Sequence, residues 1–506
     1  MTSTPVTLSA ARATLRKEFG FDAFRPGQER LVASVLSGRD TLGVLPTGGG
    51  KTLCYQLPAF MMPGLVLVAS PLISLMQDQV ERARSLGLRA ASLTSQIPRH
   101  EQRRVEAALP AGRLDLLFCS PERLESERLR RRLGASRVSL VTVDEAHCIS
   151  EWGHDFRPSF RRIHRLRDVV SAPVLAVTAT ATPAVRDDIA GVLRMADPTR
   201  VVTSFDRPNI RWLVSEMPPG AERVRRIARI VRGAARGARG GPGRAVIVYA
   251  PTRRTVTSVR RALAALGVAG EAYHAGLPAE ERGAVQERFL SGASQVIVAT
   301  CAFGMGIDRG DVGAVFHYTL PGSVESYYQE AGRAGRDGEK SVALGFVHRG
   351  DWRVPEMFLE RAYPSPRKVL ALHRALRSRR SRPRLDGTDL VRRGATHIPR
   401  LRWLVRADAV RVDSALAEWL DDWPHRAGDA PPKVADEPVR AAGSEPDLTP
   451  LVAARRQARA RLRGIRRYAR SRSCRRAALL RYLGEEPPGR RCGSCDRCEG
   501  RRTVAT

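Results

Sequence analysis

The sequence predicts an α/β protein with two tandem parallel-sheet lobes, followed by a helical insert and a helical module that carries four cysteines. Three observations support this prediction. Short apolar runs alternate with helical segments through the first two thirds of the chain, and two of these runs end in a glycine-rich and an acidic motif. The remaining observation is a cysteine cluster near the C-terminus, formed by Cys474, Cys492, Cys495 and Cys498. Apolar runs that alternate with helices are typical of strands buried on both faces of a parallel sheet.

The length of the chain limits its number of domains, and its charge indicates the kind of partner that it binds. Its 506 residues leave room for about three domains. It carries 85 basic against 52 acidic residues, a net charge of +33. All but five of the basic residues are arginines, a bias that is as compatible with genomic base composition as with selection for binding. A surplus this large still creates a positive surface potential, and a polyanion is its natural partner because neutralised phosphates release counterions.

The first motif follows the apolar run 41–44 and reads LPTGGGKT, and a predicted helix begins after it near Leu53. In this strand–turn–helix context, backbone N–H groups close around phosphate oxygens, Lys51 reaches the terminal phosphates, and the Thr52 hydroxyl ligates magnesium. Leu45 stands where the strict pattern has its first glycine, and a plain glycine turn is the alternative. The predicted phosphate-binding residues are Thr47, Gly48, Gly49, Gly50, Lys51 and Thr52.

The second motif, DEAH from Asp144, follows the β-branched run 141–143. A strand there delivers both carboxylates to the carboxyl edge of the sheet, where such folds carry phosphate chemistry. Asp144 is then placed to hold magnesium and Glu145 to orient an attacking water. A solvated strand end is the alternative, but the order of the two motifs along the chain favours a site that hydrolyses ATP with Mg²⁺.

An aromatic and basic loop comes directly after the acidic motif and continues to residue 158. Aromatic residues make up only 6% of the chain, so this local cluster stands out. Stacking faces interleaved with guanidinium groups suit a single nucleic acid strand. The cluster consists of Trp152, Phe156 and Phe160 with Arg157, Arg161 and Arg162.

A second α/β pattern begins after a boundary predicted near residue 205. The runs 245–249, 295–300 and 313–318 have the composition of parallel-sheet strands and alternate with helical segments. Residues 329–338, QEAGRAGRDG, then place Arg333 and Arg336 three apart, able to reach across a cleft to a terminal phosphate. An exposed basic turn is the alternative.

The spacing of the four clustered cysteines is that of a metal site. Seventeen residues separate Cys474 from Cys492, and two separate each later pair, Cys492 from Cys495 and Cys495 from Cys498. Four thiolates with this spacing can close a tetrahedral zinc site. Disulfides and an iron–sulfur cluster are the alternatives, and the four scattered cysteines are expected to be reduced and buried.

These motifs together resemble those of RecQ-family DNA helicases, from about residue 19 to 353 and again from about 470 to 499. FRPGQ from Phe24 resembles the family's adenine-reading motif, and further matches are SPLISLMQDQ from Ser70, TATAT from Thr178, YAPTR from Tyr249 and ATCAFGMGIDRGD from Ala299. The resemblance implies that Arg25 and Gln28 contact the adenine base while Phe21, where the family often has Tyr, stacks on it.

The same resemblance implies two RecA-like lobes with ATP between them and assigns further roles. Arg336 is the arginine finger, Arg333 supports it, and Gln329 joins the nucleotide site. The loop that couples strand binding to hydrolysis contains Trp152, His154, Phe156 and Arg157. The four cysteines match the family's zinc module, with Cys474 on a helix and the other three on the following loop.

The implied function is an ATP-dependent DNA helicase that uses ATP, Mg²⁺ and Zn²⁺. It moves 3′ to 5′ on single-stranded DNA and unwinds duplex or branched DNA in recombination and repair. The alternatives are a DNA-stimulated ATPase that acts as a translocase, a strand-annealing or DNA-binding factor, and an RNA helicase. We expect a monomer with no membrane partner, in the cytoplasm and associated with the nucleoid, because no run of 18 apolar residues and no signal-like N-terminus is found.

The sequence departs from the family in its last third. Only eight residues follow Cys498, so the winged helix that many members carry after the zinc module is absent from that position. The predicted organisation is a first lobe over 1–205, a second over 206–352, an insert over 353–424, a flexible linker over 425–449 and a zinc module over 450–506. The insert is either a displaced winged helix-turn-helix or a helical spacer. An Arg-rich helix is predicted over 451–483.

Overall fold

The two predicted parallel-sheet lobes and the helical C-terminal region are confirmed by a computed structural model of the chain. The structure describes residues 7–71, 73–94, 97–150, 153, 155–235, 243–304, 309–377, 387–412, 414–421, 440–441 and 445–499. Within these ranges, no helix has both the length and the apolar composition needed to cross a membrane.

The first lobe is built on a seven-stranded sheet. Its strands are β1 (Thr41–Val44), β2 (Leu65–Ala69), β3 (Ala90–Leu93), β4 (Leu116–Cys119), β5 (Val138–Val143), β6 (Val174–Thr178) and β7 (Thr199–Val202). Their order across the sheet is β3-β4-β2-β5-β6-β1-β7, and all neighbours are parallel. Every residue of β2 and β6 is buried, as expected for strands covered by helices on both faces.

Nine helices are described in this lobe: α1 (Leu8–Phe19), α2 (Gln28–Leu36), α3 (Leu53–Met61), α4 (Ile73–Ser85), α5 (Arg99–Ala108), α6 (Pro121–Leu124), α7 (Glu127–Gly134), α8 (Pro158–Arg161) and α9 (Pro183–Val192). Two 3-10 helices, Ala146–Ile149 and Arg162–Asp168, follow β5 and α8. Because β5, β6 and β1 are neighbours, the segments after their carboxyl ends meet at one edge of the sheet. The glycine-rich loop, the acidic motif and the TATAT segment therefore lie together.

The second lobe is a six-stranded parallel sheet. Its strands are β8 (Ile210–Glu216), β9 (Ala245–Tyr249), β10 (Glu271–Tyr273), β11 (Val296–Ala299), β12 (Val312–His317) and β13 (Ser341–Val347), in the order β10-β11-β9-β12-β13-β8. Its helices are α10 (Ala221–Ala235), α11 (Arg253–Ala265), α12 (Ala279–Leu290) and α13 (Val324–Ala331), and a 3-10 helix spans Arg349–Trp352. β8 is the first strand of this lobe in the chain, yet it lies at the sheet edge and pairs with β13, the last strand. The sheet is therefore complete only when β13 is in place.

The insert has a hydrophobic core of its own. It contains α14 (Arg353–Ala362), α15 (Pro366–Arg377), α16 (Gly387–Arg406), β14 (Val410–Arg411), α17 (Ser414–Asp421) and β15 (Arg440–Ala441). Its fully buried residues include Val369, Leu401, Leu404 and Leu416, and the same cluster reaches Leu451 in the next helix. The insert is thus a packed unit rather than a run of solvated helices, and a winged helix-turn-helix stays a prediction.

The region between the insert and the cysteines differs from its prediction in one respect. Most of the predicted flexible linker, 425–449, lies outside the described residues, but Arg440–Ala441 within it form β15, which pairs antiparallel with β14. Because β15 pairs with a strand about thirty positions earlier, these two residues are part of the insert. The polar composition of the segment predicted coil because it carries no information about this distant partner.

The predicted continuous helix over 451–483 is wrong. Two helices, α18 (Thr449–Arg470) and α19 (Arg475–Tyr482), are separated by a turn, and a short α20 (Asp496–Glu499) follows. The fully buried Arg475 guanidinium donates to the carbonyl oxygens of Tyr468 and Ala469 in the last turn of α18. Cys474 consequently lies at the N-cap position of α19 rather than on a helix, and Cys498 lies on α20 rather than on a loop.

Leu401→Ala tests whether the insert folds around its own core. Leu401 is fully buried, so we expect a loss of about 2–5 kcal/mol in the stability of the insert. Amide hydrogen exchange should accelerate in α15 and α16 and stay unchanged in the two sheets. The control Val452→Ala, at a half-exposed position, should leave exchange unaltered. Equal acceleration in the sheets and the insert would show that they share one core.

Candidate active site

The glycine-rich loop lies between β1 and the N-terminus of α3. Gly48 and Gly50 have φ angles of +84° and +73°, in the left-handed region that side chains disfavour. A Cβ on Gly49 would lie 2.9 Å from the Pro46 carbonyl oxygen, so this position also has no room for a side chain. The loop therefore presents backbone at a helix N-terminus, an arrangement that binds anions.

Gln28 and Arg25 hold this loop in place. The Gln28 side-chain amide donates to the carbonyl oxygens of Gly50 at 2.9 Å and Gly49 at 3.2 Å, and its own oxygen accepts from the Arg25 N–H at 2.8 Å. The Arg25 guanidinium donates to the carbonyl oxygen of Gly48. Phe21 is half exposed nearby in sequence. The adenine contacts predicted for these three residues stay predictions, and the loop contacts were not anticipated.

The acidic pair is buried at the carboxyl end of β5. The Asp144 N–H donates to the Ala69 carbonyl at 2.9 Å, and the Glu145 N–H donates to Asp144 Oδ1 at 2.9 Å. Glu145 has a φ of +47°, which costs about 1–3 kcal/mol for a residue with a side chain and is common at active sites. Lys51 Nζ lies 3.9 Å from Glu145 Oε1, so the first two motifs meet.

Burial raises the pKa of the Asp144 carboxyl to about 6, the Glu145 charge adds to this rise, and the Lys51 ammonium opposes it. Two carboxylates this close repel each other in a low-dielectric site unless a cation compensates them. Carboxylate and hydroxyl oxygens are the ligands that Mg²⁺ prefers. Asp144 with Thr52 at the start of α3 therefore fits the magnesium role predicted for this pair.

A chain of polar contacts runs from Glu145 to the aromatic loop. His147 Nδ1 lies 3.3 Å from Glu145 Oε2 and 2.9 Å from the Thr178 hydroxyl. Its other ring nitrogen lies 3.8 Å from Cys148 Sγ, which in turn lies 3.7 Å from Asp155 Oδ2. Sequence reasoning gave no role to His147, Cys148 or Asp155, although all three follow the acidic pair within eleven positions.

The aromatic loop is joined to two other parts of the chain. Arg157 donates to the Pro71 carbonyl at 3.2 Å and pairs with Asp155 at 3.4 Å. The Arg406 guanidinium, at the end of α16, lies over the Phe156 ring at 5.6 Å from its centroid, within cation–π range. Trp152 and His154, also predicted for this loop, lie outside the described residues. The contact between insert and loop was not predicted.

The two predicted arginines follow α13, which carries Gln329, and they face different ways. A Cβ on Gly48 would lie 3.6 Å from Arg336 Cγ, so Arg336 extends from the second lobe to the glycine-rich loop of the first. Arg333 is buried inside the second lobe, with its guanidinium beside Gly304 and the Tyr249 side chain. Arg336 therefore reaches across the cleft, and Arg333 stays within its own lobe.

The four clustered cysteines have the geometry of a metal site. Their Sγ atoms all lie within 4.8 Å of one another, and those of Cys474 and Cys495 are 4.0 Å apart. A tetrahedral zinc with Zn–S bonds of about 2.3 Å places its sulfurs about 3.8 Å apart. Burial alone would raise the pKa of Cys492, yet hydrogen bonds from Ser494 lower it to about 7. The donor set thus fits zinc.

The cysteine module rests on the segment that joins the two lobes. Arg476 pairs with Asp206, and the Glu485 carboxylate accepts from the Phe205 N–H at 2.6 Å. The module also reaches each lobe separately, since Arg186 donates to the Leu483 carbonyl at 3.1 Å and the Tyr482 hydroxyl lies 2.9 Å from Glu325 Oε1. These contacts were not predicted. The residues of the lobes and the connecting segment that contact the cysteine module are Arg186, Ser204, Phe205, Asp206, Arg211 and Glu325.

Comparison with known families finds three matches along the chain. Residues 25–189 match the DEAD/DEAH box helicase family, and residues 222–338 match the helicase conserved C-terminal domain. Residues 449–499 match the RecQ zinc-binding family, which covers α18, α19 and the four cysteines. The three matched segments coincide with the first lobe, the second lobe and the cysteine module, while the insert falls between the second and the third.

Several curated proteins are similar over the same regions. The probable ATP-dependent DNA helicase RecS of Bacillus subtilis is 40% identical over 70% of this chain and 70% of its own length. The ATP-dependent DNA helicase RecQ of Pasteurella multocida is 42% identical over 71% of this chain but 55% of its own length. The RecQ protein of Haemophilus influenzae is 39% identical over 57% of its length. The chain thus spans little more than half of the two RecQ proteins.

Among solved structures, the helicase MrfA bound to DNA aligns with a TM-score of 0.56 at 21% identity, over 67% of this chain and 50% of its own. The Mycobacterium smegmatis helicase Lhr, bound to single-stranded DNA and AMP-PNP, aligns with a TM-score of 0.55 at 23% identity, over 79% and 58%. At this level of identity the likeness concerns the fold alone.

Cys495→Ser tests the metal centre. With one thiolate replaced, we expect bound zinc to fall from one ion per chain to a small fraction of that, measured by atomic absorption after dialysis. Thermal unfolding should shift to lower temperature because the segment that carries Cys495 and α20 loses its link through the metal to Cys474 at the start of α19. Cys301→Ser, at an exposed position outside the cluster, should keep the zinc and the transition. Full zinc occupancy in Cys495→Ser would exclude this cysteine as a ligand.

Proposed function

The chain belongs to the RecQ family of superfamily 2 helicases, and from this premise we propose that it is an ATP-dependent DNA helicase. It translocates 3′ to 5′ on single-stranded DNA and unwinds duplex or branched DNA during recombination and repair, as a monomer at the nucleoid. The observation that carries the proposal is the cleft in which Lys51 and the acidic pair of the first lobe face Arg336 of the second.

In this proposal the cleft holds ATP by its phosphates. The backbone of Gly48, Gly49 and Gly50 and the Lys51 ammonium would hold the phosphate oxygens, and Thr52 and Asp144 would hold Mg²⁺, which neutralises charge on the phosphates when bound. Glu145 orients the attacking water and takes its proton. Arg336 offsets the charge that develops on the opposite side, with Arg333 supporting the turn from which it extends.

In this proposal, binding of the DNA strand is coupled to hydrolysis through the polar contacts that connect Glu145 with the aromatic loop. A strand that stacks on the aromatic loop displaces Asp155 and Arg157, and His147 carries the displacement back to Glu145 and Thr178. Closure of the cleft brings Arg336 onto the phosphates, and its reopening lets the lobes advance along the strand. The cysteine module, which we propose to hold Zn²⁺, keeps the connecting segment in position while the lobes move.

Strand separation on tailed duplexes tests the proposal directly. Duplexes with a 3′ tail, a 5′ tail or no tail are supplied with ATP, and hydrolysis is followed in the same samples. Unwinding of the 3′-tailed duplex alone supports the helicase and its polarity. Hydrolysis stimulated by DNA without unwinding would favour a translocase or annealing factor, and stronger stimulation by single-stranded RNA than by DNA would favour an RNA helicase.

Lys51→Ala tests the nucleotide site. Loss of the ammonium that holds the terminal phosphates should reduce the steady-state hydrolysis rate at least about 100-fold, while the Kd for single-stranded DNA changes less than about threefold. The matched control is Lys340→Ala, an exposed lysine of the second lobe, which should hydrolyse ATP at the normal rate. A normal rate in Lys51→Ala would contradict the assigned site.

The raised pKa of Asp144 predicts how magnesium binding depends on pH. The carboxyl must lose its proton to hold the ion, so below about pH 6 the apparent Kd for Mg²⁺ should rise about tenfold per pH unit, and above that pH it should level off. Titration of nucleotide-bound protein with Mn²⁺, followed by electron paramagnetic resonance, measures this dependence. Asp144→Asn should leave only the weaker pH dependence of the nucleotide itself, and an identical profile in the variant would contradict the role of Asp144.

A further inference from the structure

A second cavity lies outside the nucleotide cleft, where five parts of the chain meet. It has a volume of about 250 Å³. Its walls come from the aromatic loop, the start of α13, α14, the insert helix α16 and the Arg-rich helix α18. The side chains that the inference uses are Phe156, Ser323, Ser326, Phe358, Arg402 and Arg461. No part of the proposed nucleotide site lines this cavity.

The lining combines aromatic rings with positive charge. Phe156 and Phe358 supply two rings, Arg402 and Arg461 supply two guanidinium groups, and Ser323 and Ser326 add hydroxyls. Asp155 is the one acidic side chain among the described lining residues, and its carboxylate already contacts Arg157 and Cys148. An occupant with an aromatic ring and a negative charge therefore matches the walls.

Phe358 gives the second, independent observation. This residue of α14 is 49% exposed, and it lies in the wall of the cavity. The ring stands at a cavity whose Arg402 is 4% exposed, so an arginine of the insert is buried against this space. An exposed aromatic ring beside guanidinium groups is a feature with which proteins bind unpaired nucleotides.

The volume of the cavity and its position beside the aromatic loop favour part of a nucleic acid strand as the ligand. The cavity is smaller than the roughly 300–1,000 Å³ typical of sites for drug-sized ligands, which suits one base with its sugar rather than a free dinucleotide. Its neighbour is the aromatic loop that the proposed function assigns to the strand. A strand that contacts this loop therefore passes the mouth of the cavity.

We propose that this cavity binds one nucleotide of single-stranded DNA, with its base stacked on Phe156 and Phe358 and its phosphates facing Arg402 and Arg461. The proposal rests on the proposed function, because it assumes that the strand follows the aromatic loop. It adds the insert to the strand path, since α16 contributes Arg402 to the wall and places Arg406 over Phe156. The insert thereby becomes part of the DNA-binding surface of the motor.

Phe358→Ala in the full-length chain tests the stacking. Binding of a fluorescein-labelled oligothymidylate is measured by anisotropy without nucleotide, beside an oligonucleotide of equal length with abasic sites. Loss of one base–aromatic stack should weaken oligothymidylate binding about fivefold or more and leave abasic binding unchanged. Met357→Ala, its exposed neighbour on α14 that does not line the cavity, should bind both ligands normally.

Arg461→Ala tests the phosphate contact by its salt dependence. Removal of one phosphate contact should lower the slope of log K against log salt by about 1. Arg456→Ala, on an exposed position of the same helix and away from the cavity, should keep the slope of the unaltered chain.

The outcomes separate this inference from the proposed function. An unaltered chain that neither binds single-stranded DNA nor hydrolyses ATP faster in its presence would overturn the proposed function. An unaltered chain that does both, while Phe358→Ala binds oligothymidylate as tightly as Met357→Ala, overturns the cavity proposal alone. Equal weakening of abasic and oligothymidylate binding in Phe358→Ala also overturns it, because the ring would then act on the fold and not on a base.

Discussion

The cysteine module binds the segment that connects the two lobes, and this contact constrains the geometry of the cleft between them. Two α/β lobes joined by a short segment are free to rotate unless a third body fixes that segment. Here α19 pairs Arg476 with Asp206, and Glu485 after it accepts from the backbone of Phe205. The same body touches each lobe separately, so contacts with the connecting segment and with both lobes support the approach of Arg336 to the glycine-rich loop.

Arg475 shows how that body is itself assembled. Its fully buried guanidinium closes the end of α18, pairs with Asp496 at 3.1 Å, and its backbone N–H approaches Cys495 Sγ at 3.5 Å. A buried arginine is stable only when such partners replace its water. Arg223, which pairs with Asp351 at 2.8 Å, follows the same rule in the second lobe. Some of the arginines therefore serve the fold, and the net charge of the chain overstates the positive charge that is exposed to a polyanion.

The sequence predicted those features whose signal is local. The meeting of the glycine-rich and acidic motifs could be predicted because each motif follows an apolar strand directly, and a parallel sheet brings such strand ends to one edge. The break between α18 and α19 could not, because Arg475 has the helix propensity of any arginine and only its distant partner Asp496 reveals that it is buried. The contact of Phe156 with Arg406 was also hidden, since 250 positions separate them and Arg406 lies in no motif.

The left-handed backbone of Glu145 depends on the residues packed around it. A residue with a side chain held at φ +47° keeps that conformation only while its surroundings enforce it. His147 contacts the Glu145 carboxylate, and the Thr178 hydroxyl contacts the His147 ring in turn. In the proposed function, the carboxylate that orients the water thus stands on a strained backbone, and the contacts proposed to respond to the strand help to hold that backbone in place.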